Sequence, residues 1–328
     1  MIYEIISIKN NSAVIYKDFS DVKRKKEISE NSKKNLNGAT KKGYTGEVSE
    51  SAARKIKTQV LCLSEALRFG GYGKKKLTFC TLTLCAKQMH TDTEIRREML
   101  NTFLIYMKRK YNVAHYIQRS ELQNNGNIHF HILLDNFVHW ANVREIWNKE
   151  QERLGYIEEY RNEQNKFHSN GFKAREELLK YWSMKKQEEA YKKGIETNWS
   201  NPNSTDIHAL RNIKNVAAYI CKYMTKNEQT TARKLDGRVW SSSTELEKVE
   251  NFKIDLAMID FENTAVNWSA HNYIEDLKND TRVINKDDEH FSMFYSNVSQ
   301  YELLKQYSPK LAIDYANHYK ELFKKLYK

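Results

Sequence analysis

Apolar positions recur along this 328-residue chain with two distinct periods. Between Ser49 and Phe69, Ile56, Val60, Leu63 and Leu67 fall three to four residues apart, which lines one face of a helix; Gly70, Gly71 and Gly73 end it. Residues 77–85, LTFCTLTLC, are rich in β-formers and predict a strand. Asp92 is placed to cap a helix in which Ile95, Met99, Phe103, Tyr106 and Met107 form one stripe. A strand from Ala114 to Leu122, the turn Gln123-Asn124-Asn125-Gly126 and a strand from Ile128 to Asp135 predict a hairpin. Val143, Ile146 and Trp147 then mark an amphipathic helix from about Trp140 to Leu154.

Elsewhere the pattern thins. Residues 1–20 hold two short apolar stretches, Ile2 to Ile8 and Ser12 to Tyr16, that fit a hairpin. From Asp21 to Gly46 apolar side chains nearly vanish and basic residues gather at 23–26, 33–34 and 41–42, the composition of a flexible basic linker. Such a run touches nucleic-acid backbone or is simply solvated. Tyr156 to Asn203 is highly charged, with an exposed helix expected from Lys173 to Lys193, and fits an insertion. A short strand, Thr205 to Leu210, and a helix from Asn212 to about Lys226 resume the order. A basic loop and a mixed C-terminal third follow, closing in a helix from about Pro309. Strands separated by helices, with an antiparallel hairpin between two of them, predict an α+β fold with one sheet covered by helices. The expected partition is an N-terminal segment with its linker at 1–48, a main domain at 49–245 with its insertion at about 156–203, and a mixed region at 246–328.

Composition adds a partner class. With 54 Lys+Arg against 42 Asp+Glu the chain carries +12, which favours a polyanion because each neutralised phosphate releases counterions. Twenty tyrosines beside that lysine supply faces on which unpaired bases stack. The four cysteines, Cys62, Cys80, Cys85 and Cys221, show no CxxC spacing and are read as reduced core thiols. No run reaches the roughly 18 apolar residues of a membrane helix and no signal-peptide core is evident, so a cytoplasmic protein is expected.

Candidate chemistry sits in two stretches. In His129-Phe130-His131 both imidazoles face one way along the predicted strand, roughly 7 Å apart at their roots. Ile128, Phe130, Ile132 and Leu134 face the other way and supply core. Two histidines on a half-buried strand are costly unless they bind something, and neighbouring imidazoles converge readily on a metal. Glu121, across the Asn-Gly turn, is the nearest carboxylate able to close such a site. The competing account is a surface histidine pair on an edge strand. His115 and His139 are read as structural or exposed, and Asp135 as a strand-end cap.

The second stretch runs from Asn215 to Lys226. On a helical wheel Ile213, Val216, Ala217, Ile220 and Met224 form the buried stripe. Tyr219 and Tyr223 stand one turn apart, roughly 80–120° from its centre, with Lys222 and Lys226 beyond them. A free phenol ionises near pH ~10 and needs help to attack a phosphodiester. Adjacent lysines favour the phenolate and hold phosphates; a metal polarises the scissile phosphate. Tyr-x-x-x-Tyr also occurs on ordinary amphipathic helices. Its weight comes from co-occurrence with His129-Phe130-His131.

Together these stretches resemble the HUH endonuclease superfamily, and within it the replication initiators of rolling-circle plasmids and small single-stranded DNA phages. Phe79-Cys80-Thr81-Leu82-Thr83-Leu84 is similar to its F-x-T-L-T strand motif. Gly126-Asn127-Ile128-His129-Phe130-His131 is similar to its His-hydrophobic-His motif, with Glu121 in the position of the third ligand. Tyr219-Ile220-Cys221-Lys222-Tyr223 is similar to the Y-x-x-K-Y pattern of the phage type. The resemblance spans about residues 75–245. It implies a five-stranded antiparallel sheet, the HUH endonuclease or RRM-like core, with a divalent ion (Mg²⁺ or Mn²⁺) held by Glu121, His129 and His131. Its implied chemistry is attack by Tyr219 or Tyr223, with Lys222 beside them, on single-stranded origin DNA. The products are a free 3′-OH and a 5′-phosphotyrosine link that is later religated. Where two tyrosines serve, the second cuts the regenerated origin.

DNA contacts are expected from Lys226 and from Arg238 and Trp240 in the loop Gly237 to Ser241, which also resembles bacterial plasmid and phage initiators. Core packing of Trp240 is the alternative. Thr81 and Thr83 serve the strand or contact phosphate; Asp206 and His208 back the site or form an ordinary polar strand face. No GxxxxGKS helicase loop is present, which implies a host helicase alongside polymerase. Rival readings are a transposase or a mobilisation relaxase on the same core, though the His triad of a relaxase is missing. A non-enzymatic single-stranded nucleic-acid binding protein is the third, and predicts neither metal dependence nor a covalent adduct.

Overall fold

The computed structural model describes residues 2–8, 12–19, 46–72, 76–208, 210, 216–225, 233–255, 284–288, 291–295 and 299–328. The expected linker at 21–45, Gly73, the start of the predicted tyrosine helix at 212–215 and Lys226 lie outside the described residues. The strands in chain order are β1 (Ile2–Ile8), β2 (Ser12–Phe19), β3 (Thr78–Leu82), β4 (Tyr116–Leu122) and β5 (Ile128–Leu134). They continue with β6 (Thr205–Ile207), β7 (Trp240–Ser242), β8 (Phe252–Asp255), β9 (Ile284–Asp288) and β10 (Phe291–Tyr295). They form two five-stranded sheets, β8-β1-β2-β10-β9 and β6-β3-β5-β4-β7, whose pairings are antiparallel throughout. The chain divides into two compact units, one of Met1–Tyr44, Arg54–Lys74 and Thr244–Lys328, the other of Thr45–Ala53 and Lys75–Ser243. Among the described residues no helix is long and apolar enough to cross a membrane.

In the first unit the predicted β1–β2 hairpin forms and becomes the centre of a sheet. β8 pairs with β1, matching Ile6 to Ile254, and β10 pairs with β2. Helix Glu50–Phe69, from Arg54 onward, packs with Gln300–Tyr307 and Pro309–Leu326 around Phe69, Tyr301, Tyr315 and Tyr319. The last helix opens on Pro309, whose missing N–H costs nothing in a first turn.

The second unit is the α+β core expected from the motifs. The β4–β5 hairpin closes at Gly126, which adopts φ +83°, a region open to glycine at no steric cost. Gln123 N–H donates to the Asn127 carbonyl (2.8 Å) and Gly126 N–H to that of Gln123 (2.8 Å). Leu82, Phe130 and Ile132 are fully buried on one side of the sheet. There Trp147 of helix Trp140–Arg153 stands edge-on to Phe130 (5.9 Å between centroids) and to Phe103 of helix Asn101–Tyr111 (6.1 Å). Its indole N–H donates to the Thr83 carbonyl (2.6 Å).

Three expectations need correction. Thr91, not Asp92, caps the helix: its hydroxyl accepts from Glu94 N–H and the Glu94 carboxylate accepts from Thr91 N–H (2.8 Å), a capping box. Asp92 is instead buried against the Arg233 guanidinium, with two contacts of 2.7 Å. The helix expected from Lys173 to Lys193 is confined to Met184–Glu196, because the Ser183 hydroxyl accepts from Lys186 N–H and starts a new N-terminus there; only the turn Glu176–Leu178 precedes it. Trp240 lies not in a loop but at the start of β7, where ladder bonds to β4 hold it.

Candidate active site

Cross-strand partners in an antiparallel sheet share a face, so register alone assembles the site. Thr81 pairs with Asp206 on one side and His131 on the other, and Arg119 pairs with His131 and with Trp240. Asp206, Thr81, His131, Arg119 and Trp240 therefore make one row across all five strands. In the next row Glu121 faces His129. Phe79, two residues before Thr81 and so on this same face, stacks 6.1 Å from the His131 ring.

Glu121 is the junction. Its Oε1 lies 2.5 Å from His129 Nε2 and 2.9 Å from His131 Nε2, and its Oε2 accepts from Arg119 Nη1 at 2.7 Å. Burial raises the Glu121 carboxyl, but the hydrogen bonds and charges of both histidines outweigh it and hold the group well below the usual carboxylate range. Burial lowers His131 from the ordinary histidine value, despite Glu121, which favours its neutral, ligating form. Two imidazole nitrogens and a carboxylate oxygen stand within 4.8 Å of one another, a donor set that can hold a metal ion. Cis ligands about 2.1 Å from a small divalent cation are about 3.0 Å apart, close to the observed nitrogen–oxygen separations. His131 Nδ1 lies 3.0 Å from Thr81 Oγ1, which orients the ring for ligation through Nε2.

Helix Val216–Thr225 lies against this same face. Ile220 and Met224 are fully buried, as its periodicity predicts, leaving Tyr219 and Tyr223 half-buried on the flank with ring centroids 4.9 Å apart. The Tyr223 ring lies 5.8 Å from those of His131 and Phe79. Arg119 Nη1 donates to the Tyr223 carbonyl at 2.7 Å, so one guanidinium group joins the metal-site carboxylate to the tyrosine helix. The Tyr219 hydroxyl lies 2.8 Å from His208 Nδ1. Burial, Tyr223 and Asp206 push the Tyr219 phenol up to about 12, so its deprotonation needs a partner.

The remaining expected residues divide. Thr81 joins the cluster, while the Thr83 hydroxyl donates to the Ser204 carbonyl (2.9 Å) beside the strand end. Trp240 is half-buried at the end of the row, Arg238 is exposed, and Lys222 is exposed on the tyrosine helix. His115 is buried, and His139 Nδ1 accepts from Ala141 N–H at a helix start. Asp135 accepts from Ala114 N–H (3.0 Å) at the strand end. Arg119 was not singled out in the sequence, although strand alternation two residues before Glu121 places it on the same face.

No curated protein and no solved structure matches the chain. Residues 77–228, which contain β3, the histidine hairpin and the tyrosine helix, match the model of a family described as Replication-associated protein ORF2.

Proposed function

We propose that the domain within residues 49–245 is a rolling-circle replication initiator. In this reading it nicks single-stranded origin DNA by tyrosine attack, keeps the 5′ end as a phosphotyrosine, releases a 3′-OH for polymerase and later religates. The observation that carries it is the meeting of two motifs far apart in sequence: Tyr223 stands 5.8 Å from His131, next to Glu121 and His129. Phenol and metal ligands thus reach a common phosphate.

Each group has a task in this reading. Glu121, His129 and His131 hold Mg²⁺ or Mn²⁺, which when bound supplies Lewis-acid polarisation of the phosphate. Tyr219 or Tyr223 forms the bond to phosphorus. Arg119 keeps the tyrosine helix in register with the ligand carboxylate. Lys222, Lys226, Arg238, Trp240, Thr81 and Thr83 belong to the DNA-facing surroundings, with Trp240 offering a stacking face and the cations neutralising backbone. The partners are a separate host helicase and polymerase in a bacterial cytoplasm.

The test uses labelled single-stranded oligonucleotides tiling the DNA that flanks the gene, incubated with the protein and Mn²⁺ and run on a denaturing gel. A denaturation-resistant adduct is expected, absent with EDTA and absent from the Tyr219→Phe, Tyr223→Phe double variant. Cleavage in full in EDTA, or binding without any adduct, favours the non-enzymatic binding protein instead.

A further inference from the structure

The two phenols are not held alike. Tyr223 contacts His131 and His208 through its ring, at 5.8 and 5.4 Å between centroids, and its phenol is hydrogen-bonded to Tyr219. The Tyr219 oxygen has a nitrogen base in line, His208 Nδ1 at 2.8 Å. The other nitrogen of that ring lies 3.3 Å from Thr81 Oγ1, which also contacts His131 Nδ1 at 3.0 Å. A hydroxyl oxygen has two lone pairs, so Thr81 accepts from His208 Nε2–H and from His131 Nδ1–H together. That arrangement leaves His208 Nδ1 as an acceptor aimed at the phenol, and His131 Nε2 as a ligand.

From this geometry we infer that His208 is the general base for Tyr219, and that Tyr219 is the first nucleophile; the inference rests on the nickase reading above. As the Tyr219 oxygen bonds to phosphorus, its proton passes to His208 Nδ1. The phosphorus–O3′ bond breaks, and the 3′ oxygen leaves with the bonding pair and takes a proton from water. The imidazolium returns its proton to the hydroxide so formed, or to the phenol when the strand is religated. Tyr223, without a nitrogen base at its hydroxyl among the described residues, waits for the second cut.

The surroundings of the ring suit this task. Phe79 packs against it at 4.7 Å, Tyr219 and Tyr223 cover it from the helix, and His131 lies beyond Thr81. Asp206 is the nearby charge, with a carboxylate oxygen 3.9 Å from Nε2. Burial lowers His208 from the ordinary histidine value against the pull of Asp206, so the ring is neutral and able to accept a proton at neutral pH.

The experiment measures single-turnover adduct formation with the tiled oligonucleotides and Mn²⁺ in two backgrounds. In Tyr223→Phe, where Tyr219 alone acts, His208→Gln is expected to slow the reaction roughly 10²–10⁴-fold. It should also remove the plateau from the pH–rate profile, leaving a rate that climbs with hydroxide. Added imidazole should rescue His208→Ala in that background. In Tyr219→Phe the same His208 change should leave the residual rate of Tyr223 unaltered. Equal losses in both backgrounds, or none in Tyr223→Phe, would overturn the assignment and leave His208 a packing residue. If His208→Gln does not fold, the tyrosine variants still decide: a wild-type initial rate in Tyr219→Phe with none in Tyr223→Phe sinks it. Wild type that forms no adduct at all overturns the nickase reading and this inference together, whereas an adduct insensitive to His208 overturns this inference alone.

Discussion

The two faces of the β6-β3-β5-β4-β7 sheet are built from the same backbone and stabilised in opposite ways. On one, β3 and β5 bury Leu82, Phe130 and Ile132 under Trp147, and removal of apolar area from water does the work. On the other, β5 presents His129 and His131, and nearly as much is withdrawn from solvent: His131, Thr81 and Arg119 are all buried. Every polar atom withdrawn there needs a partner, and most find one through Glu121, Thr81 and the Tyr223 carbonyl. The match is incomplete, since His129 Nδ1 and Arg119 Nε have no hydrogen-bond partner among the described residues. A face that apolar side chains would fill at less cost is kept polar, which is the signature of a surface retained for chemistry rather than stability.

The largest expected effect breaks the polar face alone. His129→Ala with His131→Ala should reduce adduct formation to background while shifting the thermal midpoint little, because the pair is a cost rather than a support. A collapse of the melting transition would show that both faces hold the fold. The reciprocal change, Phe130→Ala, should cost about 3–5 kcal/mol in urea unfolding, yet leave the adduct rate per folded molecule near wild type.

An intermediate effect is expected at Asp92, which ties the segment leading into β7 to the helix start. It accepts from Arg233 and from Asp236 N–H (2.9 Å). Burial pushes its carboxyl up, but these bonds and one from Gln88 outweigh it and hold it below the ordinary value. A depressed carboxyl contributes its stability above the unfolded pKa of about 3.9 and loses it as pH falls through the lower folded value. Asp92→Asn should therefore cost about 1.5–3 kcal/mol at neutral pH, and the gap to wild type should close in acid. Urea midpoints measured from neutral pH into acid test this; a gap that stays constant would mean the carboxylate charge is not what Asp92 contributes.

The smallest effect is at the hairpin tip. A Cβ at Gly126 meets nothing within 4 Å, so Gly126→Ala bears only the strain of φ +83°, about 1 kcal/mol. Chemical denaturation should show that loss with the adduct rate unchanged.

Local physics made much of this legible without coordinates. The alternation around His129-Phe130-His131, the Asn-Gly turn and the Tyr219–Tyr223 spacing are each written within a dozen residues, and each forms as that spacing dictates. Strand alternation decides a face, and helical period decides a flank. Neither names the partner across the gap. The pairing of β1 and β2 with β8 and β10 joins segments more than half the chain apart, and no periodicity carries that information. The same holds for the site. Alternation put Asp206 and His208 on one strand face, but only the close pairing of β6 with β3 and the docking of the tyrosine helix bring His208 to Tyr219. Arg119 likewise gains its role from a carbonyl 104 residues away. Sequence by itself determined which side chains stand together on each element. Tertiary structure decided which elements face each other, because that choice depends on non-local hydrogen-bond geometry and packing that no single segment contains.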